Sequence, residues 1–146
     1  MSVTTLGVNV IAYRKDNQNY AMTCAWSTMS DFKEIVAFIG TQSETGKNLE
    51  VGMKLGYSTL KEGQEKIANI IGSSHSSEND KLANIEYEEE DGAIIIKNCY
   101  KASLCQLKAI NTDVCGTPMY IFEVLKEKDF NGRPLLYNDM EEEKLL

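Results

Sequence analysis

Histidine is all but missing from this chain: His75 is the only one in 146 residues, and it stands far in sequence from the four cysteines, Cys24, Cys99, Cys105 and Cys115. The cysteines include no C-x-x-C pair. A structural zinc site is built on such spacing, so these residues are read as reduced, mostly buried thiols and not as ligands. No run of eighteen apolar residues occurs, and Met1-Ser-Val-Thr-Thr-Leu6 has neither the basic nor the apolar region of a signal peptide. A membrane span is therefore excluded and a cytoplasmic location expected. Positive charge is also short, with 15 Lys and Arg against 22 Asp and Glu, a net charge of -7 and a pI near 4.8. Nucleic acid and anionic membrane both depend on electrostatic attraction, which such a surface opposes. An anionic ligand would need its own local donors. The acidic runs from Glu86 to Asp91 and from Asp139 to Glu143 are read as solvated faces or a frayed end.

What is present is enough apolar residue, 42%, for one domain over residues 1–146 to bury a core without metal or disulfide. Leu6 to Tyr13 and Asn19 to Trp26 read as strands joined by the polar loop Arg14 to Gln18. Glu34 to Ile39, ended by Gly40, reads as a third strand covered on both faces. The hydroxyl-rich stretch Thr41 to Lys47 comes just before Asn48-Leu-Glu-Val51, where a short helix is expected, and a phosphate could sit at its start. Thr59-Leu-Lys-Glu62 has the form of a capping box. It predicts a helix carrying Ile67, Ile70 and Ile71 toward the core and ending on a left-handed Gly72. Ser73 to Glu78 is a polar loop, Asn79 to Leu82 a single turn, and Ala93 to Ile96 a short strand after the Asp91-Gly92 turn. Cys99 to Ile110 alternates and Met119 to Leu125 answers it across a bend at Asp113 to Gly116, which predicts a long antiparallel hairpin. Pattern alone gives an all-β barrel or an α+β sandwich with two short helices, and names no ligand.

Several strings in one order carry a resemblance. Met22-Thr-Cys-Ala-Trp-Ser-Thr-Met-Ser30, Gly40-Thr-Gln-Ser-Glu-Thr-Gly-Lys-Asn-Leu49, Gly56-Tyr-Ser-Thr-Leu-Lys-Glu-Gly-Gln64, Asn79-Asp-Lys-Leu82 and Pro134-Leu-Leu-Tyr137 together resemble the flavin reductase-like, FMN-binding split-barrel family over most of the chain. The resemblance implies a mainly β fold, a Greek-key-like barrel with short helices, and FMN as cofactor. It places Cys24, Ala25, Trp26 and Ser27, at the end of the second strand, against the isoalloxazine ring. The segment holding Thr41, Gln42, Ser43, Thr45 and Lys47 would receive the phosphate, and Lys81 would add a cation. Three departures stand out: Tyr20 replaces a family Asn, Asp31-Phe-Lys-Glu34 replaces a Pro-Pro pair, and Gly116-Thr-Pro118 lacks the family's histidine.

The chemistry fits those residue types. FMN joins a dianionic phosphate to a flat, largely apolar ring, so its site combines hydroxyl, N–H and cationic donors with a slot. Hydroxyls at a helix start, with free N–H groups, favour a dianion. Read without the resemblance, Ser43 merely caps a helix, Lys47 and Lys81 are solvated, Trp26 packs for its area, Cys24 is a small buried residue without redox chemistry, and His75 is an exposed loop residue. No catalytic residue is assigned, because hydride transfer from a nicotinamide needs no protein acid or base. The resemblance implies an NAD(P)H-dependent oxidoreductase acting on a flavin or other small acceptor. Two alternatives are an electron-transfer module served by a redox partner protein and a scaffold that has lost its cofactor. It also implies a homodimer, for which the long hairpin and Pro134 to Tyr137 offer spare apolar positions.

Overall fold

The architecture is organised by one strand that is buried on both sides. In the computed structural model, which describes residues 3–73 and 80–142, β1 (Asn9–Lys15) directs Val10 and Ala12 into one apolar cluster and Ile11 and Tyr13 into a second. Period-two alternation across two packed layers produces this split. β1 turns into β2 (Gln18–Cys24) through Asp16 and Asn17, both at positive φ, the two-residue turn whose twist suits a hairpin. The expected five-residue loop is thus tighter than the sequence suggested.

β3 (Ser27–Asp31) and β4 (Glu34–Phe38) form the next hairpin, followed by α1 (Glu44–Lys47), β5 (Lys54–Thr59) and α2 (Glu65–Gly72). Then come β6 (Tyr87–Glu90), β7 (Ala93–Ile96), β8 (Lys101–Asn111), β9 (Met119–Asp129) and α3 (Tyr137–Glu142). The strands join in the order β3-β4-β9-β8-β5-β1-β7-β6, with β2 on β1, all antiparallel. This is the mainly β barrel with short helices that was expected. Among the described residues no helix is long and apolar enough to cross a membrane.

The second cluster, with Phe122, Leu107, Leu55 and Ile39, fills the barrel; the first, with Ile94, Ile96, Leu60 and Ile71, lies under α2 and the C-terminal segment. The two layers touch at Gly56. A Cβ there would overlap the Ile94 carbonyl and stand 3.1 Å from Ile94 N, so only glycine lets β7 cross β5 this closely.

Local expectations needed correction where pairing overrode local chemistry. Thr59 ends β5 and donates its hydroxyl to Asn9 Oδ1 (2.8 Å) instead of capping a helix. The backbone of residues 60–62 pairs with the C-terminal segment (Leu135 N to Leu60 O, 2.9 Å; Glu62 N to Arg133 O, 2.9 Å), and Gly63 takes φ +97°. α2 therefore starts at Glu65, with Ile71 buried and Ile70 exposed, and ends on Ser73 in the right-handed region, Gly72 not being left-handed. α1 forms inside the hydroxyl-rich stretch, with Asn48 as its C-cap, so the helix expected over 48–51 lies one turn earlier. β4 is buried on one face only. Pro134 to Leu136 makes isolated bridges to Lys61 and Gly7 instead of a full strand, and Tyr137 opens a third helix. The Glu86 to Asp91 run contains the edge strand β6, and Met140 of the second acidic run is buried. Cys24, Cys99 and Cys105 are buried and Cys115 is exposed. His75 and most of its serine-rich loop lie outside the described residues.

Candidate functional site

Among the described residues β2 has a strand neighbour on one side alone, since its ladder runs to β1 from Gln18 opposite Lys15 to Cys24 opposite Asn9. In an antiparallel hairpin, residues alternate between pointing their N–H and C=O at the partner and away from it. Ala21 points away, because its carbonyl accepts Lys81 Nζ at 3.0 Å, whereas the Cys24 carbonyl points inward to Asn9 Nδ2 at 3.0 Å. Thr23 shares the parity of Ala21, so its backbone N–H and C=O face the open edge. α2 ends beside Thr23, a Cβ on Gly72 coming within 3.2 Å of the Thr23 hydroxyl.

Along this edge runs a groove of about 360 Å³. Met22, Thr23, Cys24, Ala25 and Trp26 form one wall; Phe38, Gly40 and Gln42, leading from β4 toward α1, form another. Thr117 from the β8–β9 turn and Tyr137 at the head of α3 complete it. Phe38 N donates to Trp26 O (2.9 Å) and Ile39 N to Pro118 O (3.2 Å), which ties the three segments together. Two buried phenols hold α1 in register with the groove. Tyr13 donates to Thr45 O (2.5 Å), Tyr120 donates to Gly46 O (3.0 Å), and Tyr13 stacks on Tyr20 with centroids 5.1 Å apart.

The predicted residues divide. Cys24, Ala25, Trp26 and Gln42 line the groove together, with Trp26 60% exposed. Ser43 stands at its margin: its hydroxyl caps α1 by accepting from Gly46 N (3.1 Å) and lies 3.4 Å from Met22 Sδ. Thr41 is exposed nearby. Lys81 is held on the open edge of β2 by the Ala21 carbonyl. Thr45 is buried beneath α1, and Lys47 is exposed with its ammonium 3.6 Å from Glu44. Ser27 turns away, its hydroxyl bonding Tyr57 (2.6 Å) and Asn9 Nδ2 (3.1 Å) on the far side of β3. Residues that sequence reasoning did not assign are Met22, Thr23, Phe38, Gly40, Thr117 and Tyr137. Met22, Thr23, Gly40 and Tyr137 sit within the strings that carry the resemblance, whereas Phe38 and Thr117 come to the groove through pairing of distant segments.

Electrostatically the groove is quiet, with no carboxylate or imidazole among the described residues that line it. Burial pushes the Cys24 thiol up to about 11, beyond what its hydrogen bonds to Ser27 and the Trp26 carbonyl offset. It therefore stays protonated near neutrality and is no nucleophile. A flat ligand with its own carbonyl and N–H edge fits this arrangement, because an open strand edge supplies matching backbone groups beside aromatic and thioether walls. A cation stands on the same edge.

A family model described as the flavin reductase like domain matches residues 1–144. No curated protein sequence matches significantly. Among solved structures the chain is similar to the flavoredoxin of Methanosarcina acetivorans, with 12% identity, a TM-score of 0.81, and coverage of 93% of this chain and 81% of that one. It is similar to an NADH:FAD oxidoreductase of Streptomyces globisporus C-1027 (19% identity, TM-score 0.77, covering 86% and 76%). It also resembles an FMN-binding protein of Thermus thermophilus (18% identity, TM-score 0.81, covering 92% and 83%). At such identities these likenesses establish the fold, a split barrel with short helices.

Proposed function

The chain belongs to the family of flavin reductase like domains, and from that premise we propose that it is an FMN-binding oxidoreductase that takes electrons from NAD(P)H and passes them to a small acceptor. The observation that carries this reading is the open edge of β2 facing a slot of about 360 Å³ walled by Trp26, Phe38 and Met22. Backbone groups of Thr23 together with Cys24, Ala25 and Trp26 would hold the ring. Thr41, Gln42 and Ser43 would offer polar groups to the sugar-alcohol chain and phosphate, and the charge of Lys81 would offset the phosphate in an otherwise acidic protein. Thr45 and the Lys47–Glu44 pair keep α1 in place, and Ser27 fixes the start of β3. A groove of this size suits a mononucleotide better than a dinucleotide, which favours FMN over FAD.

Bound FMN would supply the electron-accepting chemistry itself. The chain binds it, orients it, and shields one face with Trp26; the thiol of Cys24 keeps its proton throughout. Trp26 at 60% exposure and Phe32 at 89%, on and beside the edge hairpin β3–β4, support a homodimer in which a second copy covers the groove. Pro118 stands where the family histidine would, so that position offers no side-chain acid to the acceptor. That single feature favours a second reading, an electron-transfer module reduced by a partner protein. An anaerobic absorbance spectrum over roughly 350 to 500 nm, before and after NADH or NADPH, tests both. Bleaching of a yellow protein supports the reductase; a yellow protein that neither nucleotide bleaches leaves the module, and a colourless protein that does not take up FMN overturns the flavin reading.

A further inference from the structure

The glycine that follows β4 is not demanded by its backbone. Gly52, Gly63, Gly92 and Gly132 take left-handed φ values, and Gly40 does not. Space is what demands it: a Cβ on Gly40 would overlap Gln42 Oε1 and stand 2.7 Å from Nε2 and 2.8 Å from Cδ, all atoms of one carboxamide. Gly40 O accepts from Ser43 N (3.1 Å), which closes a turn with Thr41 and Gln42 at its centre. The Gln42 side chain folds back over the residue that opens this turn. The glycine's side of the contact is fixed. Ile39, only 1% exposed, donates its N–H to Pro118 O (3.2 Å), and Phe38 donates its own to Trp26 O (2.9 Å). Gln42 is exposed, and its carboxamide makes no hydrogen bond among the described residues. A methyl group at position 40 therefore displaces the glutamine side chain and leaves the backbone where it is.

Both residues line the β2 groove, and no carboxylate stands among the described residues around them. A carboxamide is neutral and ends in a donor beside an acceptor. A phosphate only accepts, so it would leave the carbonyl oxygen of Gln42 without a partner. A hydroxyl both gives and takes a hydrogen bond, so a polyol chain matches the carboxamide on both atoms.

We infer that Gly40 is a positioning residue that seats the Gln42 carboxamide in the groove, and that the seated carboxamide selects ligands with a hydroxyl-bearing tail. The inference rests on the flavin reading, in which that tail is the sugar-alcohol chain. The test is a fluorescence titration of the whole chain with FMN, with riboflavin, which lacks the phosphate, and with lumiflavin, which has a methyl group in place of the tail. Gln42→Ala is expected to weaken FMN and riboflavin alike by about three- to tenfold, the size of one neutral hydrogen bond, and to leave lumiflavin unchanged. Gly40→Ala is expected to give the same pattern. Added to Gln42→Ala it should cost nothing more, because the side chain through which the glycine acts is already gone. No loss in Gln42→Ala, an equal loss on lumiflavin, a loss confined to FMN, or losses that add in the Gly40→Ala/Gln42→Ala double variant would each overturn the proposal. A parent protein that binds none of the three ligands overturns the flavin reading, and this inference with it. Should Gly40→Ala not fold, the response of Gln42→Ala to the three ligands still decides whether the carboxamide reads the tail.

Discussion

Replacing Gly56 by alanine is expected to be among the most damaging single changes available to this chain. The added Cβ would meet the carbonyl oxygen, carbon and nitrogen of Ile94, all backbone atoms, so no side-chain rotation relieves the overlap. β7 must withdraw from β5. It carries Ala93 and Ile94 to Ile96, all buried, and its Ile96 N–H bonds Ser58 Oγ at 3.0 Å. Burying one such isoleucine is worth about 1.5–3 kcal/mol and the hydrogen bond about 1 kcal/mol. Even partial loss over three isoleucines gives about 4 kcal/mol or more, a large share of the about 5–15 kcal/mol that holds a domain together. Gly52 is the control: it has φ +97° but nothing within 4 Å of a Cβ, so Gly52→Ala bears backbone strain alone, about 1 kcal/mol. Urea unfolding followed by circular dichroism measures both. A Gly56→Ala protein within about 1 kcal/mol of the parent, or one no less stable than Gly52→Ala, would refute the close-crossing argument.

Three further predictions concern charge, protons and assembly. Lys81→Ala should weaken FMN by roughly 1–3 kcal/mol, the loss of one charge-assisted contact; flavin fluorescence titration at low salt checks this, and an unchanged dissociation constant would remove Lys81 from the site. Burial pushes the Cys105 thiol up from 9.0 to about 12, so between those values the folded state keeps a proton that the unfolded chain releases. Its contribution is intact below about pH 9 and lost as pH rises toward about 12. Cys105→Ala should flatten the decline of urea stability in that window, and an unaltered slope would count against the buried thiol as its source. FMN-loaded protein should sediment as a homodimer of twice the chain mass, more tightly associated than the apo form. A monomer retaining stoichiometric FMN at nanomolar concentration would refute the shared site.

The elements legible in the sequence were those whose local pattern agreed with their partners. β9 alternates from Met119 to Val124, and β8 keeps enough of the same period across its register shifts at Leu104/Cys105 and Leu107/Ala109 to read as its partner. Thr59-Leu-Lys-Glu62 misled because a capping box is a local motif, and here the backbone it would free is claimed by Arg133 and Leu135 from the far end of the chain. β3 went unread because Ser27 to Asp31 has almost no buried face; it is a strand only by virtue of β4. The groove was half legible for the same reason. The β2 end announced itself as a continuous string, but Phe38 and Thr117 reach it through the β4–β9 and β8–β9 ladders, and the outward turn of Ser27 depends on Tyr57, thirty residues away.

The one-sided pairing of β2 bears on how the protein survives in a cell. An unpaired strand edge is a template on which other chains can add a strand, and natural proteins blunt such edges with charge, bulges or a cover. Among the described residues Lys81 lies over Ala21 of β2, and exposed Trp26 follows the strand's end. Whatever occupies the groove therefore also guards this edge against aggregation. Solubility should then track occupancy, with the empty protein lost to inclusion bodies when synthesis outpaces the supply of its ligand.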